Sequence, residues 1–181
     1  MPNIKVPPYP MIVHLHPFTR EGILDKYIGM NSGVPVSTTY PTANMAIYIP
    51  VFLPFPMLVN QVWWQNGATL TNSPNADIGI YWKTGKKIYS MGPTVMTGAN
   101  VIQRTNITDF WLPAGPFYIA FACDQTTNAT IFASAMSSLS CAIATGMKQQ
   151  TSAFALPDPI VPAQAAQNLI PMFGFTQRAT I

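Results

Sequence analysis

The chain reads as an all-β protein, an antiparallel, jelly-roll-like β-sandwich with extended proline-rich arms at both ends. Three observations predict this. Apolar and polar residues alternate with period two in several short runs, most cleanly from Asp77 to Lys83. These runs are separated by connections rich in Pro and Gly, with 18 prolines and 11 glycines in 181 residues. Few stretches are therefore free to hold a helix longer than three turns. Charge is also scarce: 8% of the chain is charged against about 25% in an ordinary soluble domain. From Tyr27 to Ala76 there is no Asp, Glu, Lys or Arg. A freely diffusing monomer needs charge on its outside, so much of this surface is expected to lie against other subunits.

The organisation expected is one domain at 37–147 between an N-terminal arm, 1–36, and a C-terminal arm, 148–181. In the first arm Pro2, Pro7, Pro8, Pro10, Pro17 and Pro35 favour extended backbone. Interspersed Ile4, Val6, Tyr9, Met11 and Phe18 make it too apolar for a disordered linker. It fits an arm that docks on its own domain or on a neighbour.

Within the domain, Ala46 to Leu53 reads as a strand with Pro at its end, which suggests an edge or a bend. Leu58 to Gln65 is a second strand, closed by the turn dipeptide Asn66-Gly67. In Asp77 to Lys83, Ile78, Ile80 and Trp82 point one way, and Gly79, Tyr81 and Lys83 the other. Thr84-Gly85 turns the chain, and Lys86 to Met91 returns as the hairpin partner. Val101 to Ile107 is another strand. Phe117 to Cys123 places Phe117, Ile119, Phe121 and Cys123 on one face and Tyr118, Ala120 and Ala122 on the other. One or two more strands are expected between Thr130 and Ala144. Seven or eight short strands at this spacing are the pattern of a sandwich or barrel.

The C-terminal arm repeats the character of the first. Pro162 and Pro171 frame Ala163 to Leu169, which is expected to form two helical turns. Phe154, Leu156, Ile160, Val161, Met172, Phe173 and Phe175 need burial against something.

Both faces of several strands are apolar. Trp63 and Trp64 are adjacent, so one of them points away from the sandwich core. That residue is either an interface anchor or is covered by a tail of the same chain. The interface candidates are Trp63 and Trp64, with Tyr9, Phe18, Phe154, Phe173 and Phe175 from the arms.

Several function classes are disfavoured. The formal charge of +3 arises from nine basic and six acidic residues without a basic run, which is not a nucleic-acid footprint. Lys83, Lys86 and Lys87 read as a solvated hairpin tip. The apolar stretch from Ala46 to Val59 contains Pro50, Pro54 and Pro56 and is too short to span a bilayer, which needs ~20 residues. The first ten residues lack the apolar run of a signal peptide, so assembly in a cytoplasm is expected. Cys123 and Cys141 are then expected as reduced, buried thiols. Six carboxylates (Glu21, Asp25, Asp77, Asp109, Asp124, Asp158) show no pairing suited to acid–base catalysis, and Asp77, Asp109 and Asp124 fall where Asp accepts backbone hydrogen bonds. His14 and His16 could begin a metal site, but a closed zinc site needs four ligands and none follows nearby. Neither a nucleophile elbow nor a phosphate loop is present. No catalytic residue, cofactor or metal is therefore expected. Trp63, Trp64, Trp82 and Trp111 could stack on sugars, although packing is the commoner use of strand aromatics.

Four segments in order carry a resemblance: Tyr40 to Pro50, Gln61 to Thr69, Asp77 to Tyr81, and Ile107 to Ala120. Together they resemble a β-sandwich module common among structural proteins of tailed bacteriophages, over roughly residues 38 to 135. The arms fall outside it. The resemblance implies a non-enzymatic virion protein assembled in the host cytoplasm. Such modules occur in capsid decoration or cement proteins and in tail or fibre proteins. The partners implied are copies of the same chain, with a trimer the expected closed unit, and other virion proteins such as a major capsid protein. A carbohydrate- or receptor-binding module that takes a host glycan is the alternative.

Overall fold

The computed structural model describes residues 35–53, 55–135, 137–143 and 145–176. Its strands are β1 (Val36–Thr39), β2 (Met45–Leu53), β3 (Met57–Leu70), β4 (Asn75–Trp82), β5 (Lys87–Ser90), β6 (Thr94–Val95) and β7 (Ile102–Leu112). They continue with β8 (Gly115–Cys123), β9 (Ala129–Ala135), β10 (Lys148–Gln150), β11 (Ala163–Gln164), β12 (Leu169–Pro171) and β13 (Phe173–Thr176). One helical turn and a half, α1 (Ser138–Ile143), follows β9. The strands form two antiparallel sheets. The first runs β1-β9-β3-β13, with β7 beside β3 and β12 beside β9. The second runs β11-β10-β2-β8-β4-β5, with β6 beside β4. The antiparallel sandwich expected from the sequence is the fold found.

Alternation decides what each face of the second sheet buries. Met45, Ile47, Ile49, Val51 and Leu53 of β2 join Phe117, Ile119 and Phe121 of β8 and Ile78 and Ile80 of β4 in the core between the sheets. The intervening residues, Ala46, Tyr48, Tyr81, Ala120 and Ala122, form a second apolar cluster on the outer face. A water-facing surface of this kind is unfavourable by about 25 cal/mol per Å². Residues 151–162 cross it as a strap, and Ala153, Leu156 and Ile160 are buried against it.

Polar groups fasten the strap. The Leu156 N–H donates to Asp77 Oδ2 at 3.0 Å. Tyr81 Oη donates to Pro157 O at 2.8 Å, and Lys87 Nζ to Leu156 O at 3.0 Å. The Lys87 N–H donates to Asp158 Oδ1. Gly79 lies beneath Leu156, where a Cβ would stand 2.8 Å from Leu156 Cδ1. Gly85 turns the β4–β5 hairpin at φ +93°, and its carbonyl accepts the Ile160 N–H at 3.0 Å. Lys87 is thus held by the strap, whereas the sequence alone reads all three lysines as a solvated tip.

Two further expectations change. Asn66-Gly67 is no turn: β3 runs through it to Leu70. Asn66 is buried, accepting the Trp64 Nε1–H at 2.7 Å and donating its amide to Thr97 O at 2.7 Å. A Cβ at Gly67 would collide with Thr130 Oγ1 and Ser37 Oγ, so this glycine serves a close approach of β9 and β1. Ala163 to Leu169 is not helical, because Gln149 Oε1 takes the N–H groups of Ala166 and Gln167 and a two-residue strand, β11, pairs with β10. Between Thr130 and Ala144, where one or two strands are expected, one strand, β9, is found, and α1 follows it.

The segment read as a C-terminal arm supplies four strands to the two sheets through residue 176. Lys148–Gln150 pairs with β2, and Phe173–Thr176 with β3. Its strands are two to four residues long, too short to show a period in sequence. Residues 1–34, most of the N-terminal arm, lie outside the described residues, and so do Tyr9, Phe18, His14, His16, Glu21 and Asp25.

Candidate functional site

The sequence candidates fall mostly in the interior. Trp64 is fully buried in the inter-sheet core. Trp63 points to the outer face of the first sheet, in register between Arg104 of β7 and Gly174 of β13, yet it is only 6% exposed. Phe173 and Phe175 alternate inward along β13 and are fully buried. Phe173 packs on Phe121 with ring centroids 5.4 Å apart. Phe154 is half-buried against the strap cluster. None of these described candidates is an exposed anchor on the chain by itself.

The exposed aromatic surface lies elsewhere. Four Phe and Trp side chains are exposed among the described residues: Phe52 (47%), Phe55 (58%), Trp82 (37%) and Trp111 (68%). Strand register puts all four at one end of the sandwich. Leu53 pairs with Gly115 and Phe52 with Pro116, while Phe117 pairs with Val51 on one side and Trp82 on the other. In the facing sheet Met57 pairs with Leu112 and Leu58 with Trp111. The β2–β3 and β7–β8 connections therefore pass from sheet to sheet side by side. Trp82 packs on Phe117 at 5.2 Å between ring centroids.

This end carries no charge over residues 51–58 or 110–117. Pro56, Pro113, Ala114 and Pro116 are exposed beside the aromatics. Asp109 precedes Phe110, and the β4–β5 hairpin brings Lys83 and Lys86 beside Trp82, whose backbone N–H donates to Lys86 O at 2.9 Å; Lys83 Nζ sits 3.9 Å from the centre of the Tyr118 ring. The other large apolar residues exposed among the described residues are aliphatic: Val36, Val95, Val101, Ile102, Leu139 and Val161; Val161, expected to be buried, is 77% exposed. The signal that locates this end was present in the sequence. Phe110 and Leu112 face inward, so Trp111 between them must face out, and Phe52 stands between inward Val51 and Leu53 in the same way.

The remaining chemistry is structural. Asp77 is fully buried, and burial raises its pKa above the usual carboxylate value, opposed by hydrogen bonds from the Leu156 amide, the Ser90 hydroxyl and the Gly92 amide and by nearby Lys87. Asp124 accepts from the Asn75 backbone and side chain, and Asp158 from Lys87. No group of three His, Cys, Asp or Glu that could hold a metal occurs among the described residues. Cys123 and Cys141 are free thiols, both buried. An open cleft of about 660 Å³ lies between β1 and β10, lined by Thr38, Thr39, Gln149, Gln167 and Asn168 without a charged group. Among the described residues no helix is long and apolar enough to cross a membrane.

No protein-family model, curated protein or solved structure matches the chain.

Proposed function

We propose that this chain is a non-enzymatic structural subunit of a tailed-phage virion, packing as homo-oligomers on the particle, with capsid decoration favoured over a tail or fibre position. The observation that carries the assembly reading is the sandwich end bearing exposed Phe52, Phe55, Trp82 and Trp111, where residues 51–58 and 110–117 carry no charge. Exposed aromatic residues ringed by prolines and alanine are what a subunit interface uses as its centre. Low charge lets copies approach without mutual repulsion. The phage assignment rests on the resemblance of residues 38 to 135 to virion sandwich modules. A closed unit, a trimer by preference, limits growth of the contact.

Two measurements test this. Sedimentation of the purified chain across a wide concentration range reads the oligomer, and a chain that stays monomeric throughout removes the assembly reading. Quantitative gel staining of intact particles reads copy number: hundreds of copies place it on the shell, a handful in the tail, and none ends the virion reading.

A second reading, a glycan-binding module, is favoured by one observation, the 68% exposure of Trp111. A glycan array separates the two, because monomeric protein that binds a sugar through Trp111 needs no subunit partner.

A further inference from the structure

The aromatic end has a partner written in the same chain. We infer that it receives residues 2–17 of a neighbouring copy, an inference that rests on the assembly reading above. The segment is Pro-Asn-Ile-Lys-Val-Pro-Pro-Tyr-Pro-Met-Ile-Val-His-Leu-His-Pro, with five prolines and Lys5 as its one Lys, Arg, Asp or Glu. Proline-rich stretches are preorganised as extended polyproline helices, lose little entropy on docking, and bind to exposed aromatic surfaces. Trp111 on the outer face of the first sheet, with Phe55, Pro56, Pro113 and Ala114 exposed in the adjoining connections and no charge on residues 51–58 or 110–117, matches that chemistry.

The direction of β1 aims the preceding chain toward that end. β1 is antiparallel to β9, and β9 is antiparallel to the second half of β3, so β1 runs in the same sense as β3. Strand β3 starts at Met57, beside the aromatic end. The chain therefore enters β1 from that side. Residues 18–34 then separate the segment from the domain and reach roughly 55 Å when extended. Exchange of such a segment between copies joins them without enlarging the domain.

The test uses the full chain with p-benzoylphenylalanine at position 111, mixed in equal amounts from unlabelled and nitrogen-15-labelled preparations. After photolysis, cross-links from position 111 to residues 2–17 are expected, with mixed-isotope pairs at the frequency of random pairing. Trp111→Ser and the triple change Pro7→Ser, Pro8→Ser, Pro10→Ser should each raise the midpoint concentration for self-association about tenfold, the effect of losing one interface anchor. Cross-links to residues 2–17 of a single isotope would show the segment covering its own subunit and overturn the inference. So would cross-links to a second aromatic end, or assembly unchanged by both variants. In those cases the chain still assembles and the broader reading stands. A wild-type chain that never associates ends both.

Discussion

The Asp77 carboxylate and the Leu156 amide, 79 positions apart, meet at 3.0 Å and tie the C-terminal strap to the outer face of the second sheet. The Ser90 hydroxyl and the Gly92 N–H donate to the other oxygen of Asp77 at 2.8 Å and 3.0 Å. Each oxygen thus serves a backbone donor. Asp77→Asn turns an amide NH₂ toward one of those N–H groups and leaves it without an acceptor. The expected cost is about 1–3 kcal/mol, read as a lower urea midpoint with an unchanged slope. An unchanged midpoint would show that the carboxylate does not hold the strap.

The same residue should give stability a pH dependence of defined sign. Burial, the largest influence, raises the Asp77 pKa in the folded chain. The folded state then holds that proton more tightly than the unfolded chain. Its contribution to stability is full below the ordinary value of 3.8 and is lost as pH rises through the raised value. Urea midpoints measured from pH 3 upward should fall across this window more steeply in wild type than in Asp77→Asn. Parallel curves for the two proteins would contradict the assignment.

Tyr81 provides a second fastening. Its hydroxyl donates to Pro157 O at 2.8 Å, its ring lies in the outer cluster, and burial pushes its pKa above the usual phenol value. Tyr81→Phe keeps the ring and removes the bond, at an expected cost of about 1 kcal/mol. Hydrogen exchange should accelerate first in residues 153–160, while amides of β2 and β8 keep their protection. Uniform acceleration across both sheets would mean that the strap does not open separately.

Two tryptophans should behave in opposite ways. Trp64→Ala empties a fully buried site and strips Asn66 of a hydrogen-bond donor. The expected loss is about 3–5 kcal/mol. Trp111→Ala removes an exposed ring and should shift stability by no more than about 0.5 kcal/mol. Thermal unfolding of the dilute protein compares them directly, and a large loss at Trp111 would place that ring in the fold itself.

Both thiols should be silent until the protein unfolds. Burial pushes Cys123 and Cys141 up to about 11 each. Cys123 Sγ lies 3.9 Å from Met96 Sδ in the interior. A chromogenic disulfide reagent at pH 8 should find neither thiol in the native protein and both in denaturant. Rapid native labelling of either would show that its site opens to solvent.

Alternation along the chain was enough to orient β4 and β8. Ile78, Ile80, Phe117, Ile119 and Phe121 face the core, and Tyr81, Ala120 and Ala122 face outward. The same rule, applied to residues 110–112, locates Trp111. It could not tell which outward aromatics are covered. Trp63 and Trp111 both point away from the core, but one is 6% exposed and the other 68%. That difference comes from neighbouring strands and connections distant in sequence.

Period-two patterning and scarce charge are local properties, and they determined the sandwich and its apolar faces before any contact was known. Tertiary structure alone decided that Asn66-Gly67 continues a strand, that Lys87 and Asp77 clasp residues 156–158, and that the C-terminal segment completes both sheets. The physical reason is sequence separation. A hydrogen bond such as Leu156 to Asp77 depends on where the sheet carries its acceptor, and no pattern of neighbouring residues records that position.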